Sequence, residues 1–197
     1  MTTQAEPRRG GRGARQRIID AAVELFYREG INATGVERLA AEASVSKRTL
    51  YQHFPSKTAV VKEYLRYIGQ TVGDPVHPGE KAPRRSPRSR ILGSFETPPS
   101  AGLMRGCPFH NAAVEAADGM PEVHDIVEAH KRSYIDAMTD LARQAGAANP
   151  KSMGHQLAIL FEGAAAMSTS LNDPAPWTYA RKAAQTLLDD AVGRASA

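Results

Sequence analysis

The sequence predicts an all-α protein with two helical domains, residues 12–72 and residues 73–197. Apolar residues recur at three- and four-residue spacing along most of the chain, which is the period of an amphipathic helix. Several of these segments begin at a capping residue or a proline and end at a glycine or a proline, as helices do. A proline-rich stretch from residue 74 to residue 99 indicates loops after the first domain.

The composition is that of a soluble globular protein. Of the 197 residues, 42% are hydrophobic and 23% are charged. No apolar run approaches the length of about 18 residues that would suggest a membrane-spanning helix. The basic, glycine-rich N-terminus lacks the apolar core of a signal peptide, and a single cysteine cannot form an intramolecular disulfide. We therefore expect a cytoplasmic protein with no membrane partner.

The positive charge is concentrated near the N-terminus. Residues 1–60 contain 10 Lys+Arg and 6 Asp+Glu, so the formal net charge of +4 lies entirely in this part. A basic module attached to an electrically balanced body is the pattern expected of a phosphate-binding surface. Arg8, Arg9 and Arg12 fit two interpretations, a solvated tail or an arm that contacts phosphates or the minor groove of DNA.

The first two helices of the N-terminal domain are predicted from their apolar faces. The first runs from about Ala14 to Arg28 on a wide apolar stripe, and Gly30 ends it. Thr34 and Glu37 have the spacing of a capping box at the start of the second helix. The inward face of this second helix comprises Val36, Leu39, Ala40 and Ala43.

The third helix carries many hydrogen-bond donors and few apolar side chains. Ser46 is placed to cap it, and Pro55 prevents its continuation. Its inward anchors are Val45, Leu50 and Phe54. A tight turn followed by a short, donor-rich helix is typical of a helix-turn-helix, here over about residues 35–54, whose second helix enters a DNA groove.

A longer motif carries a family resemblance. Residues Thr49 to Lys57 read Thr-Leu-Tyr-Gln-His-Phe-Pro-Ser-Lys, after an apolar helix from Arg17 to Phe26 and a glycine at Gly30. These residues closely resemble the signature of the tetracycline-repressor (TetR) family of bacterial transcription regulators, over roughly residues 12–72. The segment from Arg105 to Ala113 resembles one found in the ligand-binding domains of a branch of that family.

The resemblance implies DNA contacts at the matching positions. The matching positions are Thr34, Lys47, Thr49, Tyr51, His53 and Lys57, and the polar side of the same helix adds Ser46, Arg48 and Gln52 as expected contacts to a double-stranded DNA operator. Thr34 and Lys57 are expected at phosphates. Arg48 and Gln52 are of the types that read base edges, and the bases they would read stay open.

Two residues with an alternative role and one departure from the family pattern qualify the expected DNA contacts. Tyr51 and His53 have an alternative role as helix-packing residues. At Ser44 the family usually has glycine, because the turn requires a left-handed conformation. A serine held in that conformation costs on the order of 1 kcal/mol, which affects stability more than function.

Six further helices are predicted from their start and stop signals. The first of them, from about Lys57 to Gly69, joins the two domains in the family and transmits the ligand state. The others are expected at about Ser86–Phe95, Pro108–Ala117, Pro121–Gln144, Pro150–Leu171 and Pro174–Val192. Asn149 and Asp173 are N-cap residues followed by first-turn prolines.

The helix from Pro150 to Leu171 is apolar on nearly all sides, so it must be covered from more than one direction. In a body of this size, that pattern suggests a partner chain. The resemblance implies that the last two helices of each protomer form a four-helix interface in a homodimer. The residues expected in this interface are Leu157, Leu160, Phe161, Ala164, Trp177, Leu187 and Leu188.

A mostly apolar pocket for an unknown small-molecule inducer is expected in the C-terminal domain. Its candidate lining is Phe95, Met104, Cys107, Phe109, His110, Tyr134, Met138, Phe161, Glu162 and Met167. Glu162 either points to solvent, pairs with an arginine, or anchors a polar part of the ligand. His130 is either a core histidine or a hydrogen-bond partner for that ligand.

Cys107 and His110 lie three residues apart, which raises an enzymatic alternative with a thiolate and a general base. No recognisable oxyanion donors or orienting carboxylate accompany them, so we expect no catalytic residues and no enzyme. Redox sensing through Cys107 is a second alternative. The histidines include no pair at i and i+4 with a supporting ligand, so neither a metal nor another cofactor is expected.

These patterns together predict a sequence-specific DNA-binding transcription regulator. Its simplest form is a homodimeric repressor that a small apolar or amphipathic ligand releases from a palindromic operator. The alternatives are a redox-sensing regulator or an enzyme that uses Cys107, and a nucleic-acid binder that has no inducer.

Overall fold

The computed structural model describes residues 12–71, 85–97, 104–116 and 119–193, without the side chains of residues 12, 192 and 193. Within these ranges the regular secondary structure is entirely α-helical, as predicted. The helices are α1 (Arg12–Arg28), α2 (Val36–Glu42), α3 (Lys47–His53), α4 (Lys57–Thr71), α5 (Pro87–Gly93), α6 (Pro108–Glu115), α7 (Pro121–Gln144), α8 (Pro150–Leu171) and α9 (Ala175–Gly193). No described helix is long and apolar enough to span a lipid bilayer.

Capping side chains start several helices where the sequence predicts them. Ser46 caps α3 by accepting a hydrogen bond from the N–H of Thr49 at 3.0 Å. Asn149 caps α8 in the same way, through the N–H of Ser152 at 3.2 Å. Ser86 caps α5. Each cap satisfies a backbone donor that has no partner inside its own helix, which fixes the first turn.

The capping box predicted at the start of α2 is wrong. Gly35 occupies the N-cap position, and no side chain makes a capping hydrogen bond there. The Thr34 side chain is fully buried, and its hydroxyl donates to the carbonyl of Gly30 at 2.7 Å. The hydroxyl therefore closes the turn that follows α1 and does not reach the first N–H groups of α2.

Other boundaries shift by one or two residues. Helix α9 begins at Ala175 instead of Pro174, and an Asp173 carboxylate oxygen accepts a hydrogen bond from the N–H of Ala175 at 2.8 Å. The helix expected within the proline-rich stretch is α5. The rest of that stretch, residues 74–84 and 98–99, lies outside the described residues.

The chain divides into two compact units. Unit 1 comprises Met1–Thr71 with Asn111–Ile126, and unit 2 comprises Val72–His110 with Val127–Ala197. The division thus falls inside α6 and inside α7, and it assigns the segment between these two points to the N-terminal unit. The predicted division into residues 12–72 and residues 73–197 did not include this exchange.

The core of unit 1 is built from the inward faces of its helices. Ile18 and Leu25 of α1 are at most 1% exposed. Phe26 packs edge-on against Tyr64 of α4, with ring centroids 5.4 Å apart. Such pairs add about 0.5 to 1.5 kcal/mol beyond the area that they bury. Ala112 of α6, in the same unit, is fully buried as well.

The core of unit 2 is formed by α5, α7, α8 and α9. Met138, Leu157 and Leu188, from α7, α8 and α9, are fully buried. A Cβ atom at Gly154 of α8 would lie 2.8 Å from the backbone nitrogen of Thr139 of α7. The glycine therefore permits a close approach of these two helices and fixes which face of α8 is turned inward.

Candidate nucleic-acid interface

A tight turn holds α2 and α3 together in unit 1. Ser44 has a φ angle of +51°, which confirms the left-handed conformation expected at this position. The N–H of Val45 donates to the carbonyl of Ala40 at 2.9 Å and closes the turn. Leu39 and Leu50, from the two helices, are fully buried. Because both helices bury their apolar side, the polar side of α3 is left at the surface.

The outer face of α3 consists mainly of hydrogen-bond donors. Its exposed residues are Ser46, Lys47, Arg48, Tyr51 and Gln52, whereas Thr49 and His53 are half-buried. Tyr51 is 43% exposed, so it is not a core residue of unit 1. The hydroxyls of Ser46 and Thr49 lie 2.8 Å apart and hydrogen-bond to each other at the start of the helix. This face is available to a partner molecule without any rearrangement of the core.

Lys47 is held by a carboxylate of the neighbouring helix. Its ammonium group donates to Glu37 of α2, and both side chains are more than half exposed. The hydrogen bond from Lys47 lowers the pKa of Glu37, and the same hydrogen bond raises the pKa of Lys47. Both groups are therefore charged at neutral pH. Glu37 was expected in a capping box and not in this ion pair.

Lys57 lies at the first residue of α4. The Ser56 hydroxyl accepts a hydrogen bond from the N–H of Ala59 at 3.1 Å and so caps this helix. Burial lowers the pKa of Lys57, and the charge of Glu115 opposes that effect. The lysine is half-buried, so part of its side chain faces solvent at a helix start, where anions are favoured.

Thr34, which was also expected at a phosphate, is placed differently. Its side chain is 0% exposed, and its hydroxyl donates to Gly30. It therefore supports the turn between α1 and α2 and presents no side-chain surface to a phosphate.

Several arginines of unit 1 serve its internal structure. Arg15 forms an ion pair with Glu63 at 2.6 Å, and its guanidinium lies 5.2 Å from the ring centroid of Phe54. The Nε of Arg17 donates to the carbonyl of Ala43 at 3.0 Å. Arg8 and Arg9, and the side chain of Arg12, lie outside the described residues.

Glu115, the last residue of α6, binds the turn that precedes α2. Its carboxylate accepts a hydrogen bond from the backbone N–H of Asn32 at 2.8 Å, and the Asn32 amide donates to the Glu115 carbonyl at 2.9 Å. A Cβ atom at Gly30, where φ is +96°, would lie 3.0 Å from the same carboxylate. Sequence reasoning missed this contact, because 83 residues separate its partners.

In unit 2, some of the expected ligand residues form an aromatic cluster, defined here as Phe95, Tyr134, Phe161 and Trp177. The Phe161 ring lies at its centre, with its centroid 5.0 Å from that of Tyr134 and 5.1 Å from that of Trp177. Phe95 packs edge-on against it at 6.3 Å. The indole N–H of Trp177 is buried and has no hydrogen-bond partner in the described part of the chain.

Cys107 and Glu162 share a partner that the sequence did not indicate. The ammonium of Lys131, on α7, donates to the Glu162 carboxylate and lies 3.4 Å from the Cys107 sulfur. Glu162 therefore pairs with a lysine and not with the arginine considered above. Among the described residues, no three His, Cys, Asp or Glu side chains are grouped closely enough to hold a metal ion.

The remaining expected ligand residues are dispersed. Met104 is half-buried and, like the fully buried Met138, belongs to the core around the aromatic cluster. Phe109 stacks on His130 with ring centroids 3.5 Å apart, which places His130 in a packing role. His110 is exposed, and Met167 is 51% exposed on α8. The placement of Met167 is inconsistent with a pocket lining inside this chain.

The residues expected in a dimer interface are placed inside unit 2. Those buried are Leu157, Ala164, Trp177 and Leu188, and those half-buried against the same core are Leu160, Phe161 and Leu187. These side chains therefore pack in the core of this chain, and the sequence did not indicate this, because an all-round apolar helix such as α8 has no preferred face. The exposed apolar residues of α8 and α9 are Ile159 (70%), Met167 (51%), Leu171 (58%) and Tyr179 (69%).

Two parts of the chain match known domain types. Residues 18–64 match the family described as bacterial regulatory proteins of the tetR family. Residues 91–184 match the tetracyclin repressor-like C-terminal domain. The first match includes α2 and α3, and the second includes the aromatic cluster.

Two solved structures are similar over nearly the whole chain. A TetR-family transcriptional regulator from Streptomyces coelicolor is 30% identical with a TM-score of 0.77, over 91% of this chain and 96% of that chain. A protein described as a TetR transcriptional regulator from Streptomyces avermitilis is 31% identical with a TM-score of 0.74, over 90% of this chain and 97% of that chain.

Sequence relatives match over shorter segments. The HTH-type transcriptional repressor KstR2 of Rhodococcus jostii is 39% identical over 62 residues, which cover 32% of this chain and 30% of the relative. The HTH-type regulator YuxN of Bacillus subtilis is 42% identical over 50 residues, which cover 25% of this chain and 17% of the relative. The chain thus spans less than a third of the length of these relatives.

Proposed function

The chain belongs to the TetR family of bacterial transcriptional regulators, and we propose that it is a homodimeric repressor released from a palindromic operator by a small amphipathic ligand. The observation that carries the DNA-binding part is the exposed polar face of α3. This helix is held in place by the buried Leu50 and by the turn at Ser44. A short surface helix that carries donors and is backed by a packed core is suited to the major groove.

Within this proposal the polar residues divide into two roles. Arg48 and Gln52, exposed on α3, read base edges, because their side chains present paired donors or a donor and an acceptor. Lys47, Tyr51 and Lys57 hold phosphates and set the position of α3 in the groove. Phosphate contacts supply most of the salt-dependent affinity, whereas the base contacts supply the sequence preference.

We propose that the homodimer forms through the exposed side of α8 and α9. Ile159 and Tyr179 are 70% and 69% exposed, so two large apolar side chains of neighbouring helices face solvent. A Cβ atom at Gly163, between Ile159 and Met167 on α8, would meet no atom within 4 Å, so a second helix could approach closely there. A two-fold axis through this face would cover all four exposed apolar residues in both protomers.

The aromatic cluster is the proposed ligand site. Its rings supply apolar contact area, and the buried indole N–H of Trp177 is a donor for a hydrogen-bond acceptor on the ligand. Trp177 is the only tryptophan of the chain, so its intrinsic fluorescence reports on this site alone. Titration of aromatic and alkyl amphipathic compounds should quench or shift this fluorescence and release operator DNA at the same concentrations. Release without any change in fluorescence would count against this site.

Ligand state reaches the DNA-binding residues through α6 in this proposal. The chain passes from unit 2 to unit 1 inside this helix, between His110 and Asn111. Its last residue, Glu115, binds Asn32 in the turn before α2 and affects Lys57 at the start of α4. A ligand that favours one position of α6 would shift the equilibrium between DNA-binding arrangements by a coupling of about 1 to 3 kcal/mol.

Selection from random double-stranded DNA tests the main proposal. A two-fold dimer should recover a palindrome whose half-sites lie roughly one helical turn, about 34 Å, or somewhat more apart. Binding to the recovered duplex should weaken steeply as salt is raised, and Tyr51→Ala should weaken it at every salt concentration. A selection that returns no symmetric motif, or binding that is indifferent to salt, would refute this function.

A thiol-based response is a second candidate, favoured by the ammonium of Lys131 at 3.4 Å from the Cys107 sulfur. This contact ties the sulfur to the Lys131–Glu162 pair, so its oxidation to a sulfenic acid by a peroxide, which is itself reduced in that step, would disturb the pair. In this case hydrogen peroxide should release operator DNA from the wild type but not from Cys107→Ser. If both proteins stay bound in peroxide while amphipathic compounds release them, the ligand proposal stands alone.

A further inference from the structure

The Glu37–Lys47 ion pair crosses between the two helices of the DNA-binding motif. Lys47 is the first residue of α3, and Glu37 is the second residue of α2. Their side chains are 53% and 72% exposed, respectively, so the pair lies at the surface and not in the core of unit 1. Surface ion pairs of this kind contribute little to folding stability. The Glu37 carboxylate is therefore placed to affect DNA binding more than folding.

A carboxylate at this position opposes phosphate binding in two ways. It occupies the ammonium group of Lys47, which would otherwise bind a phosphate. It also adds a negative charge next to the N-terminal end of α3, which is the end of a recognition helix that contacts DNA. Partner discrimination commonly relies on such repulsive groups, which penalise the wrong partner more than the right one.

We propose that Glu37 is a specificity-determining residue that keeps Lys47 away from the phosphates of non-operator DNA. This inference rests on the proposed DNA-binding function and adds to it. A loosely docked, non-operator duplex offers Lys47 no fixed acceptor, so the lysine stays with Glu37. On the operator, base contacts by Arg48 and Gln52 hold α3 in one position, and a DNA acceptor then replaces the carboxylate. Glu37 thus weakens binding to random DNA more than binding to the operator.

The salt dependence of binding makes this proposal quantitative. Each phosphate neutralised by a lysine adds about 0.9 to the slope of log K against log salt concentration. In Glu37→Gln, Lys47 is free to neutralise one phosphate of any duplex. The slope for random DNA should therefore steepen by about 0.9 for each protomer bound to the duplex. At about 0.1 M salt this raises affinity roughly 8-fold per bound protomer. Operator affinity should rise much less, because on the operator the base contacts already bring Lys47 to a DNA acceptor in the wild type.

The experiment compares full-length wild type, Glu37→Gln and Glu42→Gln. The probes are the duplex recovered by selection with the wild type and a random duplex of the same length, each titrated over a series of salt concentrations. Glu42→Gln is the matched control, since Glu42 is on the same helix and its removal changes the charge equally, but it pairs with Arg38 of α2 at 2.8 Å and not with α3. Lys47→Ala in the Glu37→Gln background should abolish the gain.

Each outcome supports or overturns one proposal. A fall in the operator-to-random affinity ratio that is specific to Glu37→Gln and depends on Lys47 supports the role of Glu37. An unchanged ratio and unchanged slopes, with a wild type that still prefers its selected duplex, overturn this inference and leave the proposed function intact. Equal effects of Glu37→Gln and Glu42→Gln reduce it to net charge and overturn it as well. A wild type that has no preferred duplex overturns the proposed function itself.

Discussion

Ile159 tests the proposed dimer face most directly. Its side chain is 70% exposed on α8, although it is among the most apolar residue types. Complete burial of an isoleucine side chain contributes about 1.5 to 3 kcal/mol, so covering the exposed part contributes about 1 to 2 kcal/mol per protomer. A two-fold interface contains both copies, which makes about 2 to 4 kcal/mol per dimer. Loss of this contribution alone corresponds to a roughly 30- to 700-fold weaker dimer.

The Ile159→Glu substitution should weaken the dimer by more than this factor, because the introduced carboxylate would be desolvated between the two chains. The mass of the particle is measured by light scattering or sedimentation across a concentration series, and the helical content by circular dichroism. Val114→Glu is the matched control, since Val114 is 66% exposed but lies on α6, outside the proposed face. We expect a monomer for Ile159→Glu and a dimer for the control, both with unchanged helical content. A wild type that is monomeric at micromolar concentration, or an Ile159→Glu protein that stays dimeric, would refute the interface.

Three further substitutions test unit 1. Glu115→Ala removes the acceptor for the Asn32 N–H and should lower the free energy of unfolding by about 1 kcal/mol, since the bond is at the surface. Glu115→Gln keeps an acceptor and should lower it less, and equal losses of the two variants in thermal unfolding would contradict the hydrogen-bond role. Ser44→Gly should raise the free energy of unfolding by up to about 1 kcal/mol, because φ is +51° there. A lower free energy of unfolding for this variant, measured by urea denaturation, would contradict this account. Lys57→Ala should weaken binding to operator and random duplexes alike and reduce the salt slope by about 0.9 for each protomer bound to DNA. A loss of affinity limited to the operator would instead assign Lys57 to base reading.

Local signals predicted the helices well. Ser46 and Asn149 cap helices where the sequence places caps, and Pro121 opens α7 as expected. An N-cap side chain bonds a backbone N–H only two or three positions away, so capping is visible in the sequence. Thr34 is the exception: it has the spacing of a capping box, but tertiary packing buries its side chain, and the hydroxyl binds Gly30. A local pattern is therefore reliable only where the side chain remains at the helix end.

Contacts between distant segments could not be predicted. Lys131 and Glu162 are 31 residues apart, and no period or motif links them. The inward face of α8 was equally hidden, since an all-round apolar helix shows no stripe. Gly154 and Gly163 are identical in the sequence, yet the first packs against Thr139 and the second faces open space. Only the packing of the other helices distinguishes a glycine needed for the core from one available to a partner chain.

The N-terminal arginines Arg8, Arg9 and Arg12 form either a solvated tail or an arm that contacts DNA, and the salt dependence of binding distinguishes the two. Arg15 and Arg17 are engaged within unit 1 and Arg48 is assigned to base edges, so the proposed phosphate-binding cations of the candidate interface are Lys47 and Lys57.

A dimer that uses Lys47 and Lys57 of each protomer neutralises about four phosphates and should give a salt slope of about −3.6 on its operator. If the N-terminal arginines contact DNA, the slope should be steeper, and deletion of residues 2–12 should return it to about −3.6. If they form a solvated tail, deletion should leave the slope unchanged. A wild-type slope much shallower than −3.6 would contradict both interpretations, because the lysines on α3 and α4 would then not bind phosphates as proposed.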